Sequence, residues 1–129
     1  MTDTPQGSHI YQAPIAPGWV WMLRAAAAYN LLVAVPPLFA RTTSDSDRIV
    51  SLLVACFGVI YALIARAPAR LAPVLWAGVL GKLGVLIIMG MAVLDGRQPV
   101  AVIPVLAGDA LFTLAFIAFL RRMAVRPAS

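Results

Sequence analysis

The sequence predicts an all-α membrane protein, a bundle of four transmembrane helices in up-down order. Three observations predict it. Hydrophobic residues make up 62% of the 129 and charged residues only 12%, against roughly 45–50% and 25% in a soluble domain. The apolar residues gather into four long runs, each close to the ~17–25 residues that a helix needs to cross the hydrocarbon core. Short polar or proline-bearing connectors separate the runs, so consecutive helices pack as antiparallel neighbours. A mean hydropathy of +0.92 points the same way: lipid is the solvent that fits such a chain.

The first predicted span is Trp19 to Phe39. Its one charge is Arg24, and Trp19 and Trp21 suit a membrane interface. Pro36-Pro37 is expected to end the regular helix early, because each proline lacks a donor and crowds the preceding turn. The second span is Ile49 to Ala65, free of charge. The third runs from about Pro73 to Leu94 and the fourth from about Val100 to Leu120. Between them lie the polar connector Arg41–Arg48, a tight turn at Arg66-Ala-Pro-Ala-Arg70, and a turn at Asp95–Pro99 whose Asp-Gly pair favours loop geometry. Residues 1–18 hold several prolines and glycines but no Lys or Arg, so they lack the basic segment of a secretory signal. They are expected to form a disordered cytoplasmic tail, and residues 123–129 a second, short one.

Orientation follows from Lys and Arg near the span ends. The side with both termini carries Arg66, Arg70, Arg121, Arg122 and Arg126, and the other carries Arg41, Arg48 and Arg97. Five against three is expected to place both termini in the cytoplasm. Arg24 adds to the first side if its stem reaches back toward the headgroups.

Composition also excludes functions. The net charge of +5 does not indicate nucleic-acid binding, because the arginines are scattered at span ends rather than gathered on one face. Cys56 is the single cysteine and His9 the single histidine, there is no Glu, and the five Asp residues are mostly far apart. No metal or other cofactor is expected. No nucleophile–base–acid set can be assembled. Gly78-Val-Leu-Gly81-Lys82-Leu83 lacks the spacing and the Ser/Thr of a phosphate loop, and it lies within a span.

Four polar side chains fall near the middle of their spans: Asn30, Tyr61, Lys82 and Asp109. A charge at the bilayer centre costs roughly 2.5–3.5 kcal/mol on insertion scales. One Lys and one Asp at equal depth on antiparallel neighbours remedy this by pairing, or by sharing a proton and becoming neutral, and a Lys82–Asp109 contact is predicted. Gly78, one turn before Lys82, leaves room for the partner helix, and Thr113, one turn after Asp109, offers a hydroxyl. Two readings of the pair stand side by side. It is a latch that fixes register, or it is a proton-linked or ligand-binding site, as an intramembrane ionisable group suggests. Pro104 either starts the fourth helix or kinks it beside Asp109. The small residues Ala25 to Ala28, Gly58, Ala77, Gly78, Gly81 and Gly84 are expected to serve packing within the bundle, and the stripe Phe112, Phe116 and Phe119 packing or lipid contact.

In order and depth these features resemble an uncharacterised group of small bacterial four-helix membrane proteins. The shared motifs are Arg24 with Ala28-Tyr29-Asn30, then Gly58-Val-Ile-Tyr61 with Ala65 and Pro68, then Gly78-Val-Leu-Gly81-Lys82-Leu-Gly84, and finally Gly108-Asp109-Ala-Leu-Phe112 with Phe116. They run along about residues 19–122. Leu111-Phe112 stands where similar proteins often carry tryptophan. The resemblance implies the four-span topology and a focus on Arg24, Asn30, Tyr61, Lys82 and Asp109, and it implies no activity. A looser likeness to DoxX-type proteins lies in architecture alone.

The sequence therefore leads to a non-enzymatic membrane protein, either an accessory subunit to a membrane partner or a binder of a lipophilic small molecule. The alternative is a small proton-coupled transporter, oligomeric because four helices are few for a pathway, with Lys82 and Asp109 as its titrating pair. An enzyme acting on a lipid-soluble substrate ranks third.

Overall fold

The structure is a computed structural model and describes residues 14–125. Four helices in it are long and apolar enough to cross a membrane. Helix α1 spans Pro17–Phe39 and α2 Asp45–Arg66; a short α3, Pro68–Leu71, leads through a 3-10 turn, Ala72–Val74, into α4, Leu75–Leu94; a second 3-10 turn, Val100–Val102, leads into α5, Ile103–Ala124. Helix α1 lies along α2 and α4 along α5, giving two antiparallel hairpins, and α1–α5 and α2–α4 contacts close the ring. This is the predicted four-helix up-down bundle. No strand is present among the described residues.

Several boundaries differ from the sequence expectation, each for a local reason. Pro36 and Pro37 do not end α1 early: both lie inside the helix, which continues to Phe39. The donors they lack would have reached the carbonyls of Leu32 and Val33, so the prolines leave these two without their usual partners beside the last four carbonyls that any helix end leaves unbonded. The Arg48 guanidinium donates to the Ala40 carbonyl at 2.9 Å, a basic group closing a helix C-terminus. Helix α2 starts a turn before Ile49 because Ser44 caps it, its hydroxyl accepting from the Asp47 amide at 3.1 Å, with Asp45 and Asp47 in the first turn where the helix dipole favours acids.

The segment Arg66–Arg70 is not a simple tight turn. Only Ala67 breaks the helix (φ −140°, ψ 61°), and Pro68 and Pro73 each open a new helical segment, where a missing N–H costs nothing. The third apolar span thus runs from Pro68 to Leu94. Pro104 likewise lies in the first turn of α5, so it starts that helix rather than kinking it. At the Asp95–Pro99 turn, Gly96 takes φ +69°, a conformation that glycine adopts without strain. Helix α5 continues past Leu120 to Ala124, and α1 begins at Pro17, so both tails are shorter than expected. The expected disorder of residues 1–13 and the rest of the C-terminal tail, residues 126–129, lie outside the described residues.

The core is lopsided. Call the end of the bundle holding residues 14–17, Ala67 and Val125 the termini end, and that holding Ala40–Ser44 and Asp95–Pro99 the loop end. Leu23, Ile64, Leu75, Val79, Phe116 and Phe119 are all fully buried toward the termini end. Toward the loop end, Ala34 and Ala92 are the buried apolar side chains among the described residues. Large apolar groups such as Leu32, Ile87 and Leu114 are mostly exposed, as lipid-facing positions are. Helix association in lipid comes from close packing rather than from exclusion of water, so the loop half holds fewer of the contacts that fasten a bundle.

Candidate functional site

The polar layer lies where the packed half meets the loose half. Asn30, Lys82, Asp109 and Thr113 are all buried. The Lys82 ammonium donates to Asp109 Oδ1 and to Asn30 Oδ1 at 3.1 Å, and the Asn30 amide donates onward to the Val54 carbonyl at 3.3 Å. The Lys82 amine, the Asp109 carboxyl and the Asn30 amide thus bond and orient each other across α1, α4 and α5, with α2 joined through its backbone. Such mutual satisfaction makes ionised groups tolerable in a medium of low dielectric. The predicted Lys82–Asp109 contact is present.

Thr113 contributes differently from the expectation. Its hydroxyl donates at 2.7 Å to the Asp109 backbone carbonyl, so it does not reach the carboxylate. Arg24 stands apart from the layer: it is exposed on α1, 5.1 Å from the Trp21 ring centroid. That stacking suits an interfacial residue.

Two tyrosines frame the ammonium, with ring centroids 5.5 Å (Tyr29) and 5.9 Å (Tyr61) from Lys82 Nζ, within cation–π range. Each ring lies against a glycine. A Cβ built on Gly78 would fall 2.7 Å from Cε1 and Oη of Tyr61, and one on Gly108 would fall 2.6 Å from the Tyr29 hydroxyl. The space at Gly78 therefore seats Tyr61 rather than a helix backbone. Tyr29 was not singled out as a site residue, although it precedes Asn30 and its glycine precedes Asp109. Its hydroxyl donates to the Val105 carbonyl at 2.6 Å, which ties α1 to α5. Tyr61 packs edge-on against Phe116, with centroids 4.9 Å apart, and is 1% exposed.

Beside this layer lies a cavity of about 340 Å³. Its lining runs from Val50 to Tyr61 on α2 and from Gly78 to Met89 on α4, about 16 Å along each helix at a rise of ~1.5 Å per residue. Tyr61 and Gly78 mark its deep end. Lys82, Asp109 and Asn30 form its polar wall, and the other walls are apolar, with Phe57 and Val54 prominent. The lining residues that are also exposed are Val50, Leu53, Gly81 and Val85, all on α2 and α4. The cavity therefore opens sideways between those two helices, on the loop half.

The small residues divide accordingly. Gly58 serves packing, its hypothetical Cβ 3.2 Å from the Ala27 carbonyl, and Gly78 seats Tyr61. Ala77 and Gly81 are exposed and Gly84 meets open space, so these three do not pack within the bundle as expected. Cys56 is exposed on the outer face of α2. The Phe116–Phe119 stripe is core. No group of three or more metal-binding side chains comes together among the described residues. In comparison with known proteins, the chain matches no family model, no curated protein and no solved structure. Its likeness to the small four-helix group rests on the quoted motifs alone.

Proposed function

We propose that this chain is a non-enzymatic multi-pass protein of the bacterial inner membrane, both termini cytoplasmic, that binds a lipophilic small molecule between its two hairpins. The observation that carries the reading is the cavity itself. Its volume of about 340 Å³ lies at the lower end of the roughly 300–1,000 Å³ typical of ligand sites, and it has their anatomy of apolar walls with a few convergent polar groups. Its opening faces the region that lipid would occupy, so a ligand dissolved in the bilayer can enter without crossing water. With the termini in the cytoplasm, that opening lies in the outer leaflet.

The transporter reading uses the same ion pair, but a route across the membrane is harder to support. Between the pair and the termini end, the buried side chains of the core are apolar apart from Thr113 and the Tyr61 hydroxyl, and the Thr113 hydroxyl is engaged by the helix backbone. The polar path ends at the layer. Binding explains a one-sided cavity better than transport does.

The test is to purify the protein from native membranes, extract it with organic solvent, and compare the extract by mass spectrometry with that of Gly81→Leu. Gly81 is exposed at the mouth, and a Cβ there would make only ordinary contact with the Phe57 ring at 3.5 Å. The variant should therefore fold, narrow the opening and lose a low-mass lipophile that accompanies the wild type. Identical extracts from the two proteins, containing only bulk lipid, would contradict the proposal.

A further inference from the structure

The deep end of the cavity holds a polar group with nothing to bond. Among the described residues the Tyr61 hydroxyl makes no hydrogen bond, although the side chain is 1% exposed and lines the cavity. Every other buried polar side chain of the layer is engaged: Asn30, Lys82 and Asp109 with one another, and Thr113 with the helix backbone. The hydroxyl is not sealed off. The buried side-chain atom without a partner among the described residues is Arg48 Nε, so Tyr61 Oη keeps surface open to the cavity it lines, where a ligand's acceptor can reach it. Tyrosine hydroxyls in such places usually find a partner.

We infer that Tyr61 is the recognition donor of the site, and that its ligand is an uncharged lipophile whose oxygen acceptor, a carbonyl oxygen above all, reaches the deep end of the cavity. This deepens the binding proposed above and rests on it. Three features fix the class. The acceptor is required because Tyr61 has a proton to donate and the neighbouring cation is already paired with Asp109 and Asn30. Absence of net charge is required because Lys82 and Asp109 cancel, leaving nothing to offset an ion brought into the membrane. The shape follows from the space. An apolar cavity of about 150 Å³ takes benzene, so about 340 Å³ takes a ring head and the start of a chain. The ring lies beside Phe57, and the tail leaves past Gly81 between α2 and α4 into the lipid.

The test uses two probes that differ only in the acceptor, 4-decylacetophenone and decylbenzene, titrated against purified wild type and Tyr61→Phe in detergent. Binding is read by displacement of a fluorescent apolar reporter. Wild type should bind the ketone about tenfold more tightly than the hydrocarbon, the scale of one well-made buried hydrogen bond. In Tyr61→Phe the preference should fall to about threefold or less, with decylbenzene affinity unchanged. The ratio is read within one variant, so a loss of stability does not imitate the effect, and the unbonded hydroxyl makes phenylalanine a conservative replacement. A preference that survives in Tyr61→Phe, or wild type that binds both probes equally, overturns the inference and leaves lipophile binding standing. If neither probe binds wild type, lipophile binding itself falls and the inference with it.

Discussion

Lys82 and Asp109 show how a membrane interior decides what two charges can do. Each alone would be an uncompensated ion in hydrocarbon; together, with Asn30 accepting a second ammonium proton, they form a neutral cluster. Removing one member of a buried pair typically costs ~3–5 kcal/mol, while replacing both with apolar groups is often close to neutral. Lys82→Met and Asp109→Leu are each expected to lower the melting temperature of the purified protein severely, and the double variant should recover much of the loss. Equal damage from both singles and a fully additive double would show that the two groups do not depend on each other. Asn30→Leu should cost less, about 1–3 kcal/mol, because it removes one acceptor and leaves the ion pair intact. At this scale the sequence was informative about depth: four polar residues near mid-span identified the layer. It did not reveal partners. Thr113 turns to the carbonyl four residues before it and Arg24 to the ring three residues before it; helical spacing allows these local contacts but does not choose between them and contacts with a neighbouring helix.

At the scale of the element, glycine positions determine where the aromatic rings go. Gly78 makes room for Tyr61 and Gly108 for Tyr29, each at under 3 Å from a hypothetical Cβ, while Gly84 faces open space. A helix-interior Gly→Ala change otherwise gains roughly 0.5–1 kcal/mol in chain entropy, so the three positions separate packing from propensity. Gly78→Ala and Gly108→Ala should each destabilise by about 1–3 kcal/mol through overpacking, and Gly84→Ala should be neutral or slightly stabilising. Thermal unfolding of the three variants in one detergent checks this, and a uniform response would remove the seating role of the first two. Element existence was legible because four apolar runs leave little choice in lipid. The ends were less so. Ser44 and the acids after it extend α2, and Pro68, read as part of a turn, opens a helical segment; Pro73 lies at the start of a helical segment as expected, and Pro104 resolves as a start rather than a kink. Pro36 and Pro37 showed the reverse tolerance, carried inside the last turns of α1.

For the whole molecule, the asymmetry between a packed termini half and an open loop half is the feature that matters most. It could not be inferred from the sequence, because hydropathy is high along both halves and burial depends on how far apart the two hairpins stand. The arginine bias predicts that the open half lies in the outer leaflet. With the exposed Cys56 replaced by serine, single cysteines at Ser44 and Ala124 should react with a membrane-impermeant maleimide from opposite sides of inverted and right-side-out vesicles, Ser44 from the periplasmic side. Labelling of Ser44 from the cytoplasmic side would invert the orientation. The central claim is that the space between the hairpins is a ligand site rather than a packing defect. Its most direct test is an experimental electron-density map of protein purified from native membranes. Elongated density should begin beside the Tyr61 hydroxyl and pass Gly81 between α2 and α4. An empty cavity, or α2 and α4 closed upon each other with no space between them, would contradict it.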